Sequence, residues 1–114
     1  MIERYTLPRM GALWTQRRKY EAWLEVELAV CEALEKAQKV PKGTAAYVRQ
    51  KVEIDPDRID EIEKVTKHDV IAFLEAVAEQ AGNRARYIHM GLTSSDILDT
   101  GLALQLVELS LIHI

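Results

Sequence analysis

The chain has 114 residues, 15 basic and 18 acidic, for a net charge of -3, with 48% apolar and 29% charged residues. This composition suits one globular domain with a modest core and excludes a disordered or fibrous chain. The charges are mixed along the chain without a strongly basic face, so no nucleic acid partner is expected. No stretch is apolar for long enough to span a membrane, and "MIERYTLPRMG" has no apolar signal core. The expected compartment is the cytoplasm, and the lone Cys31 reads as a reduced core thiol.

The pattern predicts helices almost throughout. From about Thr15 to Lys39, Tyr20, Leu24, Leu28 and Cys31 form one row, and Trp23, Val26, Val30, Leu34 and Ala37 another, in helical steps of three and four. Glu21, Glu25, Glu32, Glu35 and Lys39 form a narrow polar stripe between them. An apolar face this wide calls for partners on more than one side. "VPKG" breaks the helix, and a short one is expected from about Thr44 to Val52.

"DPDRIDEIEKV" carries a clear start signal, with Asp55 as N-cap, Pro56 in the first turn and Asp57 beside it. Ile59, Ile62 and Val65 are its expected core residues. In "DVIAFLEAVAEQAGN", Val70, Phe73, Leu74, Val77 and Ala81 share one face, and Gly82-Asn83 supplies the C-terminal stop. The last helix is expected from near Ser94, with Leu98, Leu102, Leu106 and Leu109 on its buried stripe. No strand alternation or repeat is present, and the expected class is all-α.

Three stretches carry residues suited to binding. In "TKHDV", Thr66 and Asp69 match a capping box that would make His68 incidental; alternatively Lys67, His68 and the helix start face an anion together. In "HMGLTSSD", Thr93 and Asp96 match a second capping box. A cap needs one hydroxyl, and Thr93, Ser94 and Ser95 together with free helix-end N–H groups make a carboxylate cradle. His89 is either a core histidine or part of the pocket lining. In "ERYTLPRM", Arg4 and Arg9 flank Tyr5 and belong either to a terminal tail or to a phosphate clamp built from forked donors and a hydroxyl. There is no glycine-rich phosphate loop, metal-ligand spacing or cysteine pair, so no metal or cofactor site is expected.

"RYTLPRM", "KHDVIAFLEAVAEQAG" and "RYIHMGLTSSDILDT" resemble adenylosuccinate lyase in order and spacing, over residues 1 to about 108. The TSSD-type stretch is shared across the fumarase/aspartase superfamily; the other two segments are particular to this member. The resemblance implies elimination of fumarate from adenylosuccinate, giving AMP, and from the succinyl-carboxamide ribotide, giving AICAR, without metal or organic cofactor. It assigns Arg4 and Tyr5 to substrate phosphate or ribose, Lys67, His68 and Asp69 to a substrate-binding triplet, and Thr93 and Ser94 to a substrate carboxylate. His68 would orient or assist the acid, while the main acid histidine and the base serine of the family lie further downstream. The resemblance also implies a homotetramer built on a central helical bundle with shared active sites. Residues 1–93 would then be the N-terminal helical lyase domain and 94–108 the start of the first bundle helix, so this stretch by itself is expected to be inactive.

"LSLIHI", residues 109–114, departs from the amphipathic continuation and reads as a translation of CTG TCT CTT ATA CAC ATC, a string resembling a transposon-end sequencing adapter; a non-native tail is expected there. Two competing readings remain at this stage. One is another superfamily member, such as argininosuccinate lyase, fumarase or the carboxymuconate cycloisomerase. The other is a non-catalytic helical interaction module.

Overall fold

The computed structural model describes residues 15–90, 92 and 94–113, without the side chains of 94, 95 and 109–113. Among these residues five α-helices follow one another: α1 (Gln16–Lys36), α2 (Thr44–Lys51), α3 (Pro56–Thr66), α4 (Asp69–Ala81) and α5 (Ser94–His113). A 3₁₀ segment, Gly82–Tyr87, follows α4, and no strand occurs among the described residues. Helix α1 is the spine of the molecule. It packs against α5 on one side and reaches α2 and α3 on the other, while α4 lies along α3.

The caps explain the boundaries. Thr15 caps α1 by accepting the Arg18 N–H at 3.2 Å. Helix α1 ends at Lys36, before the Lys39 expected from the pattern, because Gln38 takes a left-handed conformation (φ 60). The N–H groups of Gln38 and Lys39 then turn back to the carbonyls of Glu35 and Leu34 at 3.0 and 2.9 Å. Glu35, expected on the solvated stripe, reaches the start of α2 instead, where its Oε1 accepts the Thr44 N–H at 2.7 Å. Asp55 caps α3 as expected, accepting from the N–H groups of Asp57 and Arg58.

The core is organised around three rings. Tyr20 and Trp23 meet edge to face at 5.1 Å, Trp23 and Phe73 at 5.5 Å, and Tyr20 lies nearly parallel to Phe73 at 6.1 Å. Edge-to-face and offset contacts at such distances add to the apolar area the rings bury. Val70, Val77, Ala81, Ile59 and Ile62 complete this centre as expected, with Leu74 half-buried beside it. Val65 does not join them: it is 83% exposed, since α3 ends one residue later and its last turn has left the seam with α4.

Helix α5 corrects the sequence pattern most. Leu98, Leu102 and Leu106 lie on its exposed side together with Val107, whereas Ile97, Gly101 and Gln105 face inward. Gly101 decides this orientation, because a Cβ built there would stand 2.8 Å from Cδ1 of Trp23. The lack of a side chain lets α5 approach α1 closely enough to cover the indole. Arg18 of α1 completes the contact with a forked bond to the Glu108 carboxylate.

Arg58 joins α3 to α4, its Nε 3.0 Å from Oε1 of Glu79 and its Nη1 2.9 Å from Oε2 of Glu61. Bonding to Arg58 holds the Glu79 carboxyl below the usual carboxylate range. A depressed acid stabilises the fold fully above its unfolded pKa and loses that effect as pH falls through the folded value. The thermal midpoint of the native chain should therefore exceed that of Glu79→Gln near about pH 7 and converge on it below about pH 3. Melts that stay parallel across that range would exclude the clamp.

Candidate functional site

Lys67, His68 and Asp69 form the corner between α3 and α4. Lys67 closes α3 in the left-handed region (φ 57), with its N–H on the Glu63 carbonyl at 2.7 Å. That turn leaves a single extended residue before α4, and it is His68. The cap is accordingly His68, whose Nδ1 accepts the Ile71 N–H at 3.2 Å, and the expected capping box on Thr66 does not form. Thr66 is instead the last residue of α3, its hydroxyl donating to the His68 carbonyl at 3.2 Å. An accepting Nδ1 puts the proton of the neutral ring on Nε2.

Asp69 accepts the Val70 N–H on Oδ1 at 2.8 Å, so two N–H groups at the start of α4 are already bonded within the corner. Lys67 is exposed, and the His68 and Asp69 side chains are each 42% exposed. The corner therefore offers a ligand an ammonium, an imidazole and a carboxylate rather than an open ring of N–H groups. Tyr20 lies below it, its hydroxyl pushed up to about 12 by burial and then by Asp60, Glu63 and Asp69. It acts there as a neutral packing group.

The second stretch holds His89. Its backbone is left-handed (φ 68), and Nδ1 lies 2.7 Å from Oε2 of Glu27, which is fully buried at the middle of α1. Glu27 was missed in the sequence, although a signal was present. It stands four residues after Trp23 and four before Cys31, in the apolar row and off the polar stripe. Burial pushes its carboxyl above the usual range, and the His89 imidazole opposes that shift. Its other oxygen, Oε1, is buried and has no hydrogen-bond partner among the described residues. Helix α5 begins at Ser94, which sets the hydroxyl-rich stretch at a helix start. Thr93, Arg4 and Tyr5 lie outside the described residues, as do the side chains of Ser94 and Ser95.

The second patch is anchored to α1 through Glu27, and the first stands near enough to α1 for the Asp69 carboxylate to act on the Tyr20 hydroxyl. Seven residues separate Tyr20 from Glu27, about 10 Å along the axis at 1.5 Å per residue. A separate groove of about 630 Å³ runs between α1 and α5, lined mostly by apolar groups including Val26, Ala29, Val30, Leu92 and Leu104. Among the described residues, Lys67, His68, Asp69 and His89 do not line it. Among the described residues no group of three or more His, Cys, Asp or Glu could hold a metal ion, and no helix is long and apolar enough to cross a membrane. Cys31 is buried, and burial raises its thiol pKa, so it is not an activated nucleophile.

Over 107 residues the chain is 55% identical to adenylosuccinate lyase of Synechocystis sp., a match covering 94% of this chain and 25% of that protein. The chain belongs to the adenylosuccinate lyase family. Adenylosuccinate lyases of Aquifex aeolicus and Thermotoga maritima are 50% and 48% identical to it, each over 95% of this chain and 25% of their own length. The chain thus spans about a quarter of the length of the curated relatives it matches. No family model matches it. Among solved structures, the fumarate lyase of Mesorhizobium sp. BNC1 superposes with a TM-score of 0.80 at 21% identity, over 91% of this chain and 25% of that one. At that identity the likeness is one of fold: this all-α arrangement matches a quarter of a fumarate lyase.

Proposed function

We propose that this chain is part of an enzyme that eliminates fumarate from adenylosuccinate, giving AMP, and from the succinyl-carboxamide ribotide, giving AICAR. The observation that carries this reading is the identity of 47% to 55% with five adenylosuccinate lyases over nearly the whole chain. The residue types suit the chemistry. A proton leaves the carbon next to a carboxylate, and negative charge gathers on that carboxylate in the transition state. Hydroxyls and free N–H groups at the start of α5, from Thr93, Ser94 and Ser95, would stabilise it.

Lys67, His68 and Asp69 would hold the succinyl portion at the α3–α4 corner, with the proton on Nε2 of His68 available to orient or assist the acid that protonates the departing nitrogen. Arg4 and Tyr5 would bind phosphate or ribose, and His89 would line the pocket. No metal or organic cofactor takes part, and the principal acid and base come from outside these residues. The working assembly is a cytoplasmic homotetramer with shared sites. The exposed row of Leu98, Leu102, Leu106 and Val107 on α5 supports that assembly, because such a row calls for a covering partner.

A chimera of the Synechocystis enzyme in which this chain replaces the matching quarter tests the reading. It should release fumarate from adenylosuccinate, and His68→Asn, which keeps a capping acceptor for α4, should lower its kcat/KM about 10²-fold with little change in thermal midpoint. A chimera that assembles and melts like its parent yet releases no fumarate would overturn the proposal.

A further inference from the structure

We infer that Glu27 is a positioning residue for His89: its buried carboxylate accepts a hydrogen bond from Nδ1–H, fixes the ring, and leaves Nε2 as the nitrogen a ligand meets. This rests on the proposed reading that the stretch from His89 to Ser95 faces substrate. Three observations carry it. The Glu27 side chain has no exposed surface and sits 2.7 Å from Nδ1, in a contact that bridges 62 positions of sequence and ties α1 to the segment entering α5. A carboxylate at the centre of an apolar helix row is costly, and its Oε1 has no hydrogen-bond partner among the described residues. An apolar residue of similar size would pack there at lower cost, so the acid serves something other than stability. Finally, His89 holds a left-handed backbone (φ 68), which residues other than glycine avoid and which marks sites where side-chain direction matters more than ease of folding.

At 2.7 Å one proton lies between Nδ1 and Oε2; on Nδ1 it makes the ring the donor and the Glu27 carboxylate the acceptor. The second nitrogen is on the opposite edge of the ring and points away from Glu27. It accepts a proton when the ring is neutral and donates one when the ring is charged. His68 has the opposite arrangement, since its Nδ1 accepts from the Ile71 N–H and its own proton is on Nε2. The two histidines are thus held in opposite tautomers by opposite partners, one by a side-chain acceptor and the other by a backbone donor.

The 114-residue chain labelled with ¹⁵N-histidine tests this directly, because it contains only three histidines. The His89 ring should carry its proton on Nδ1, and the His68 ring on Nε2. Glu27→Gln keeps an acceptor for Nδ1–H and should keep the His89 tautomer, whereas Glu27→Leu should move the proton to Nε2. Far-UV circular dichroism checks that both variants are folded. If the wild-type His89 ring carries its proton on Nε2, the inference fails whether or not the variants fold. In the chimera, Glu27→Leu should lower kcat/KM for adenylosuccinate about 10-fold or more, with Glu27→Gln retaining most of the activity. An active chimera indifferent to Glu27→Leu overturns the positioning role. An inactive parent chimera whose histidines nevertheless show the expected tautomers removes the proposed function and leaves the Glu27–His89 bond standing.

Discussion

Replacing Trp23 with alanine should lower the stability of the chain by about 3–5 kcal/mol, the usual cost of truncating a large buried aromatic residue. A domain of this size has about 5–15 kcal/mol in total, so much of the native population would be lost. The indole is 2% exposed and touches the rings of both Tyr20 and Phe73, so no other element can collapse into its place without breaking the three-ring cluster. It also forms the surface on which α5 rests at Gly101, and removing it loosens the contact between α1 and α5 as well. Urea unfolding followed by far-UV circular dichroism is the measurement, with Val65→Ala as the exposed control. Val65 is 83% exposed, so its truncation should change stability by no more than about 0.5 kcal/mol. Equal midpoints for the two variants would refute the burial of the indole.

Gly101→Leu should displace α5 from α1. The first atom added at this position meets Cδ1 of Trp23 at 2.8 Å and Nε1 at 3.3 Å, and the indole cannot retreat because Tyr20 and Phe73 hold it. Overpacking of this kind costs about 1–3 kcal/mol even where neighbours adjust. Gly101→Ala is the finer probe. Alanine favours the helix by about 1 kcal/mol relative to glycine, so the clash and the propensity oppose each other and a net loss is expected. In a Trp23→Ala background the clash disappears, and Gly101→Ala should then stabilise the chain. A double-mutant cycle reads this change of sign, and additive effects would show that Gly101 and Trp23 are not in contact.

The sequence by itself determined the local structure of this protein. Asp55 and Pro56 start a helix, Gly82 ends one, and Tyr20, Trp23, Val70, Phe73 and Val77 fall on helical faces that are in fact buried. These features depend on neighbours within about one turn, so periodicity and cap chemistry suffice to read them. The family was legible too, through segments that resemble adenylosuccinate lyase, and the identity with several such lyases agrees. Two of the three binding stretches could be followed into the structure, where His68 and His89 both belong to built hydrogen-bonded arrangements.

Only the tertiary structure decided what depended on distant residues. A capping box on Thr66 was reasonable locally, yet the left-handed Lys67 left just His68 extended before α4. The leucine row of α5 looked like the buried one, yet the inward face is that of Ile97, Gly101 and Gln105, because close approach to Trp23 requires a residue with no side chain. Glu27 was not singled out by the helical pattern, and it became a buried partner of His89 because chain folding brought together positions 62 residues apart. Helical period tells which residues share a face; which face turns inward is set by the shapes and charges that meet across the core.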